Sequence, residues 1–170
     1  MATNIVIMGV CGAGKSLIAG RLAAALGLPH IEGDAFHTCA NIARMSAGVP
    51  LTDAERVEWL DQLAGQLGAA ALAGSGAVLS CSALKQCYRE RLRRGCEGYG
   101  LQFVYLRGSR EQLAERLAHR HGHFMPVTLL DSQLADLEEP LPDERAIVCD
   151  ITATPAQIVA GIVDRLSAQA

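Results

Sequence analysis

Apolar residues gather into short runs separated by stretches of helical spacing. Ile5–Met8, Ala77–Cys81, Leu101–Leu106 and Ala146–Ile151 read as buried strands, and His30–Glu32 as a shorter one. Between them the apolar period lengthens to that of a helix. Leu17–Leu26 is Ala-rich and stops at Gly27-Leu28-Pro29. Residues 36–47 are mixed and predicted to be part helix. Thr52-Asp53-Ala54-Glu55 is a capping box, opening a helix to about Leu72 whose Val57, Leu60, Leu63, Ala64 and Leu67 share a face. A basic helix is predicted over Leu84–Arg94, and another from the cap Ser109 to about His119. The pattern breaks at Gly122–Pro126, resumes over Val127–Leu137, and ends in a helix opened by Thr154-Pro155. Strands alternating with helices predict an α/β chain, a three-layer α/β/α sandwich around a mainly parallel five-stranded sheet. No repeat or linker divides it, so residues 1–170 are expected to form one domain, with about 116–140 as a helical lid.

In such a sheet ligands bind beyond the carboxyl ends of the strands. That rule puts Gly9–Ser16, Gly33–His37, Ser82–Arg89 and Arg107–Arg110 on one rim. Gly9-Val10-Cys11-Gly12-Ala13-Gly14-Lys15-Ser16 fits G-x-x-x-x-G-K-[ST], and it stands between a strand and a helix, the context this motif requires. Its glycines allow a tight turn whose N–H groups face phosphate oxygens, and the helix N-terminus adds partial positive charge. Lys15 reaches β- and γ-phosphates, and the Ser16 hydroxyl is placed to ligate Mg²⁺. The fold is therefore expected to be of the P-loop NTPase type, with ATP and Mg²⁺ as cofactors.

Half of the 170 residues are hydrophobic and the formal net charge is −3. That balance argues against a general nucleic-acid or membrane-surface binder. The six cysteines form no C-x-x-C and match no zinc spacing. Cys81 and Cys149 are expected in the core. Met1–Asn4 leads straight into the first strand, no apolar run is long enough to span a bilayer, and a reduced, cytoplasmic setting is expected. Lys15 and Lys85 are the only lysines in an Arg-rich chain, which singles out Lys85 as a point charge at the rim.

Asp34, where the second strand ends, is placed to accept the proton of an attacking hydroxyl or to act on Mg²⁺ through water; the competing reading is a helix cap. His37 lies one turn on, as a ligand of acceptor hydroxyls or as a solvated side chain. Lys85 and Arg89, four apart, are expected to share a helix face suited to an acceptor carboxylate or phosphate, while Arg91, Arg93 and Arg94 are expected in solvent. Arg116 and Arg120 precede the Gly-containing break and suit a lid that brings positive charge to the transferred group and excludes water, unless they are ordinary surface arginines. His119, His121 and His123 alternate, but a metal site there is not favoured. Arg110 and the Thr154-Pro155 turn are positional candidates for an adenine pocket.

From about Ile5 to Ile151 the chain resembles the gluconate kinases, a family of small P-loop kinases. The segments that carry this are the phosphate loop, Gly33-Asp34-Ala35-Phe36-His37, Asn41–Met45, Gly48–Asp53, Arg56 with Trp59-Leu60, Cys81–Lys85 with Tyr88-Arg89, Gly122–Met125, and Ser132-Gln133 with Leu137-Glu138 and Pro140. Departures from the family's usual residues at Glu32, Thr38, Arg44 and Glu58 are mild. The resemblance implies transfer of phosphate from ATP to the 6-hydroxyl of D-gluconate, a small-molecule acceptor, with a lid and a homodimer. It implies catalytic Lys15, Asp34 and Arg120. For ATP it implies Gly9, Val10, Cys11, Gly12, Ala13, Gly14, Lys15, Ser16, Leu17 and Arg116, and for the acceptor Asp34, His37, Arg56, Lys85, Arg89, His123 and Gln133. The alternatives are another small-metabolite kinase, of shikimate or adenylylsulfate type, and a non-catalytic ATP-binding switch.

Overall fold

β1 (Thr3–Met8) is the centre of a five-stranded, wholly parallel sheet, and its side chains alternate between two cores. A computed structural model describes residues 3–119 and 127–169. The sheet order is β2 (His30–Glu32), β3 (Val78–Ser80), β1, β4 (Gly100–Arg107) and β5 (Ile147–Asp150). Ile5 and Ile7 join Val104 and Leu106 on one face, beneath α1 (Lys15–Leu26), α5 (Arg110–Ala118), α6 (Val127–Asp136) and α7 (Pro155–Ala168). Val6 and Met8 join Leu79, Phe103 and Tyr105 on the other, beneath α3 (Asp53–Leu72) and α4 (Gln86–Gly95). The period-2 alternation and the two helical layers are thus the same fact seen twice.

The expected strands are all present, within a residue or two at the ends. The mixed stretch at 36–47 resolves into a 3-10 turn, Gly33–Phe36, and α2 (Cys39–Ser46). The capping box at Thr52 is formed, as are those at Ser109 and Thr154. The basic helix starts later than its composition predicts: Lys85 is its N-cap, in extended backbone, and the helix proper begins at Gln86. Residues 120–126, in the middle of the expected lid, lie outside the described residues. Among those described, no helix is long and apolar enough to cross a membrane.

Asn4 is a polar side chain of β1 held wholly inside. Its amide donates to the Leu67 carbonyl (2.9 Å) and to the Cys96 sulfur (3.3 Å), and its oxygen accepts from the Ala77 N–H at 2.9 Å. One side chain thereby ties β1 to α3, to the end of α4 and to the entry of β3. Asn4→Ala leaves the Ala77 N–H buried without that partner. It should lower unfolding free energy by about 1–3 kcal/mol, read as a drop in urea midpoint at unchanged slope; an unchanged midpoint would contradict this.

Candidate functional site

Two half-sites meet at the carboxyl edge of the sheet. The first is the loop after β1. Gly12 and Gly14 take φ of +82° and +92°, left-handed values that side chains resist, and Gly14 caps α1. Lys15 opens the helix and donates to the Val10 carbonyl at 3.1 Å, folding its ammonium over the loop. Ser16 and Leu17 stand exposed on the first turn of α1, whose leading N–H groups have no partner within the helix. The loop is braced from outside. The Gly9 N–H donates to the Ser82 carbonyl at 3.2 Å. The Cys11 N–H donates to Gln133 Oε1 at 2.7 Å. Arg116 donates to the Ala13 carbonyl at 3.4 Å and to the Ile151 carbonyl.

The second half-site starts at Gly33. A Cβ there would run into the Ser80 carbonyl oxygen, so only glycine lets the β2 exit lie against β3. Trp59, the chain's single tryptophan, donates from Nε1 to the Gly33 carbonyl at 2.8 Å. The His37 ring stacks on Trp59 with centroids 4.3 Å apart. This turn presents Asp34 outward, its side chain 78% exposed and 4.0 Å from His37 Nε2. Asp34 does not cap the next helix; the Thr38 hydroxyl does that, accepting from the Asn41 N–H. His37 is nearly buried, and its Nδ1 has no hydrogen-bond partner among the described residues. Burial holds the imidazole below its ordinary pKa, outweighing the upward pull of Asp34, and the Arg56 charge adds to the lowering.

Arg56 and Lys85 flank the Tyr88 ring. Arg56 is buried, donates from Nε to the Leu51 carbonyl at 3.3 Å, and lies 5.7 Å from the Tyr88 ring centroid. Lys85 donates to Asp53 Oδ1 at 2.8 Å and lies 5.8 Å from the same ring. The Tyr88 hydroxyl also donates to Asp53. The hydrogen bond to Asp53 raises the Lys85 pKa above its ordinary value, so it stays charged. The buried Cys81 thiol, just past β3, stands between the two strand exits. Burial pushes its pKa up to about 12 against a backbone hydrogen bond from Ala83, and the charges acting on it are those of Asp34, Lys15 and Arg56.

Several expected site residues stand elsewhere. Arg89 is not open at the rim. It is fully buried, bidentate to Glu144 at 2.7 and 2.8 Å, and donates to the carbonyls of Ala83, Leu84 and Glu138. The shared helix face expected for Lys85 and Arg89 is lost because Lys85 precedes the helix. Arg93, expected in solvent, bonds Glu144 at 3.0 Å and covers the Phe103 ring. Gln133 spends its oxygen on the phosphate loop. Arg110 pairs with Asp131 at 2.6 Å, while Gln112, Glu115, Arg116, Ile151 and Thr152 line a cleft of about 140 Å³ beside the loop, near the Thr154 turn. Arg120 and His123 lie outside the described residues. Asp53, Tyr88 and Asp136 were given no role from sequence. Their partners are 32 or more residues away along the chain, apart from the Lys85–Tyr88 pair, and Asp53 reads locally as a capping-box residue.

The family model described as "AAA domain" matches residues 5–140. A gluconokinase from Gluconobacter oxydans is 50% identical over 143 residues, 84% of this chain and 79% of that protein. The unliganded structure of a sugar kinase from Janibacter superposes with a TM-score of 0.91 at 43% identity, covering 98% of this chain and 95% of that one. The structure of a gluconokinase from Sinorhizobium meliloti gives 0.86 at 43% identity, covering 99% and 97%.

The Arg89–Glu144 pair predicts a signature in acid. The Arg89 hydrogen bonds pull the Glu144 pKa from 4.5 to about 2, and its side chain is only 4% exposed. A carboxyl lowered on folding stabilises the fold above its unfolded pKa and loses that contribution as pH falls through the folded one. About 3 kcal/mol should therefore drain away between pH 5 and 2. Glu144→Gln should be destabilised already at pH 7 and show a shallower loss across that window. A Glu144→Gln protein with wild-type stability and acid profile would contradict this.

Proposed function

We propose that this chain, which belongs to the gluconokinase family of P-loop kinases, moves the γ-phosphoryl group of ATP to the 6-hydroxyl of D-gluconate, giving 6-phospho-D-gluconate and ADP. The observation that carries this reading is the pairing on one sheet edge of a phosphate-binding loop with a cluster of an exposed acid, a buried imidazole and two cations. Gluconate has the matching ends: an alcohol at one and a carboxylate at the other.

The loop amides and Lys15 grip the triphosphate, and the cleft at Ile151–Thr152 takes the nucleoside side. Arg116, tied to the loop carbonyl at Ala13, stiffens the grip. Among the described residues no trio of His, Cys, Asp or Glu is arranged to hold a metal. The exposed Ser16 hydroxyl at the start of α1 would hold Mg²⁺, an ion that takes few protein ligands. Once bound, the ion offsets charge on the phosphate oxygens. Asp34 orients the acceptor hydroxyl in line and accepts its proton as the new O–P bond forms. Proton loss accompanies rather than precedes transfer, so the position of the carboxylate beside the hydroxyl is what counts. His37 Nδ1, buried and without a hydrogen-bond partner among the described residues, accepts a hydrogen bond from a neighbouring hydroxyl. Arg56 and Lys85 take the carboxylate. Arg120 is the counter-charge we assign to the transferred group, and His123 a further acceptor contact.

An acceptor panel in an ADP-release assay tests this directly. Turnover should be strong with D-gluconate and weak with shikimate, adenylylsulfate or water; a preference for either rival, or nucleotide binding without acceptor-dependent turnover, overturns it. Lys15→Ala should lose at least about 10²-fold in kcat, on the scale of losing one oriented transition-state donor. Asp34→Asn should keep ATP affinity and lose transfer; unchanged turnover would remove its role as base.

A further inference from the structure

Asp136, at the end of α6, has no part in the reaction as described, yet its carboxylate sits between the two cations of the acceptor hollow. Its oxygens are 3.9 Å from the Arg56 Nη2 and 3.8 Å from the Lys85 Nζ. Both distances are ion-pair contacts too long for hydrogen bonds. Lys85 gives its short bond to Asp53 instead. Arg56 gives only Nε, to a carbonyl, so the terminal nitrogens of a guanidinium with 8% of its side chain exposed make no hydrogen bond among the described residues. A planar fork with unspent donors, nearly out of water, is built to take a carboxylate bidentately. Asp136 neutralises that fork without satisfying it.

We propose that Asp136 is an internal competitor for the acceptor's carboxylate, and so sets both the affinity of the hollow and its preference for anionic over neutral polyols. This rests on the reading that Arg56 and Lys85 receive that carboxylate. An entering carboxylate makes the short, paired hydrogen bonds that Asp136 lacks, and Asp136 turns toward water, to which it is already 30% exposed. A neutral polyol makes no such exchange and leaves the pair standing. The helix need not unravel for this. α6 is held by buried Leu129 and Leu130 and, one turn before Asp136, by the Gln133 bond to the Cys11 N–H.

The test compares the full chain with Asp136→Asn and Asp136→Glu, using D-gluconate and its neutral counterpart D-glucitol as acceptors at saturating ATP. Asp136→Asn should lower KM for gluconate about three- to tenfold, the scale of losing one or two partly exposed ion pairs, with kcat within about twofold and glucitol turnover no better than wild type. Asp136→Glu, which keeps the charge, should return KM toward the wild-type value. A gluconate KM that is unchanged or raised in Asp136→Asn overturns the proposal, as does an equal shift for both acceptors. If Asp136→Asn is poorly folded by its urea midpoint, raised salt on the wild type substitutes: the gluconate KM divided by the glucitol KM should respond to salt in wild type, and a ratio blind to salt overturns the proposal. Wild type that fails to phosphorylate gluconate at all removes the functional reading itself, an outcome distinct from normal wild-type turnover with an unimproved variant.

Discussion

The closeness of the β2 exit to β3 is the constraint on which the site depends. Gly33 lies against the Ser80 carbonyl where no side chain fits, and Trp59 pins the same turn by one hydrogen bond and one stacked ring. β3 is in turn the neighbour of β1, whose exit is the phosphate loop. Three consecutive strands, β2, β3 and β1, therefore set the separation of Asp34 from Lys15. The burial of Trp59 in the α3 layer makes that separation a property of the core, not of a loop.

Charge placement follows a consistent division. Arg89 and Glu144 are buried, fully engaged and structural: they fasten α4 to the segment after α6, and losing one partner leaves an unpaired charge inside. Arg56 and His37 are nearly buried but incompletely satisfied among the described residues, which leaves them donors and acceptors for a polar ligand. α6 makes three separate contacts, pairing with α5 through Asp131, with the phosphate loop through Gln133 and with Arg56 and Lys85 through Asp136.

Much of this was legible in the chain. The phosphate loop announces itself because its chemistry is local: glycine positions, a lysine and a hydroxyl at fixed offsets. The parallel sheet follows from the alternation of apolar runs and helical spacing. The acceptor hollow was half legible. Asp34 and His37 stand at a strand end, and Lys85 is one of two lysines. Arg89 misled because spacing of four implies a shared face only inside a helix, and the helix begins after Lys85. Gln133, Asp53 and Asp136 act through partners 32 to 122 residues away, and no local pattern encodes such pairings.

The central claim is that an alcohol is held between Asp34 and the phosphate loop by a hollow that grips the far, anionic end of the same molecule. A crystal structure with a non-hydrolysable ATP analogue and D-gluconate tests it most directly. The 6-hydroxyl should lie about 2.6–3.2 Å from an Asp34 oxygen, facing the γ-phosphate, with the carboxylate on Arg56 and Lys85. Gluconate bound the other way round, or outside the hollow, would contradict it.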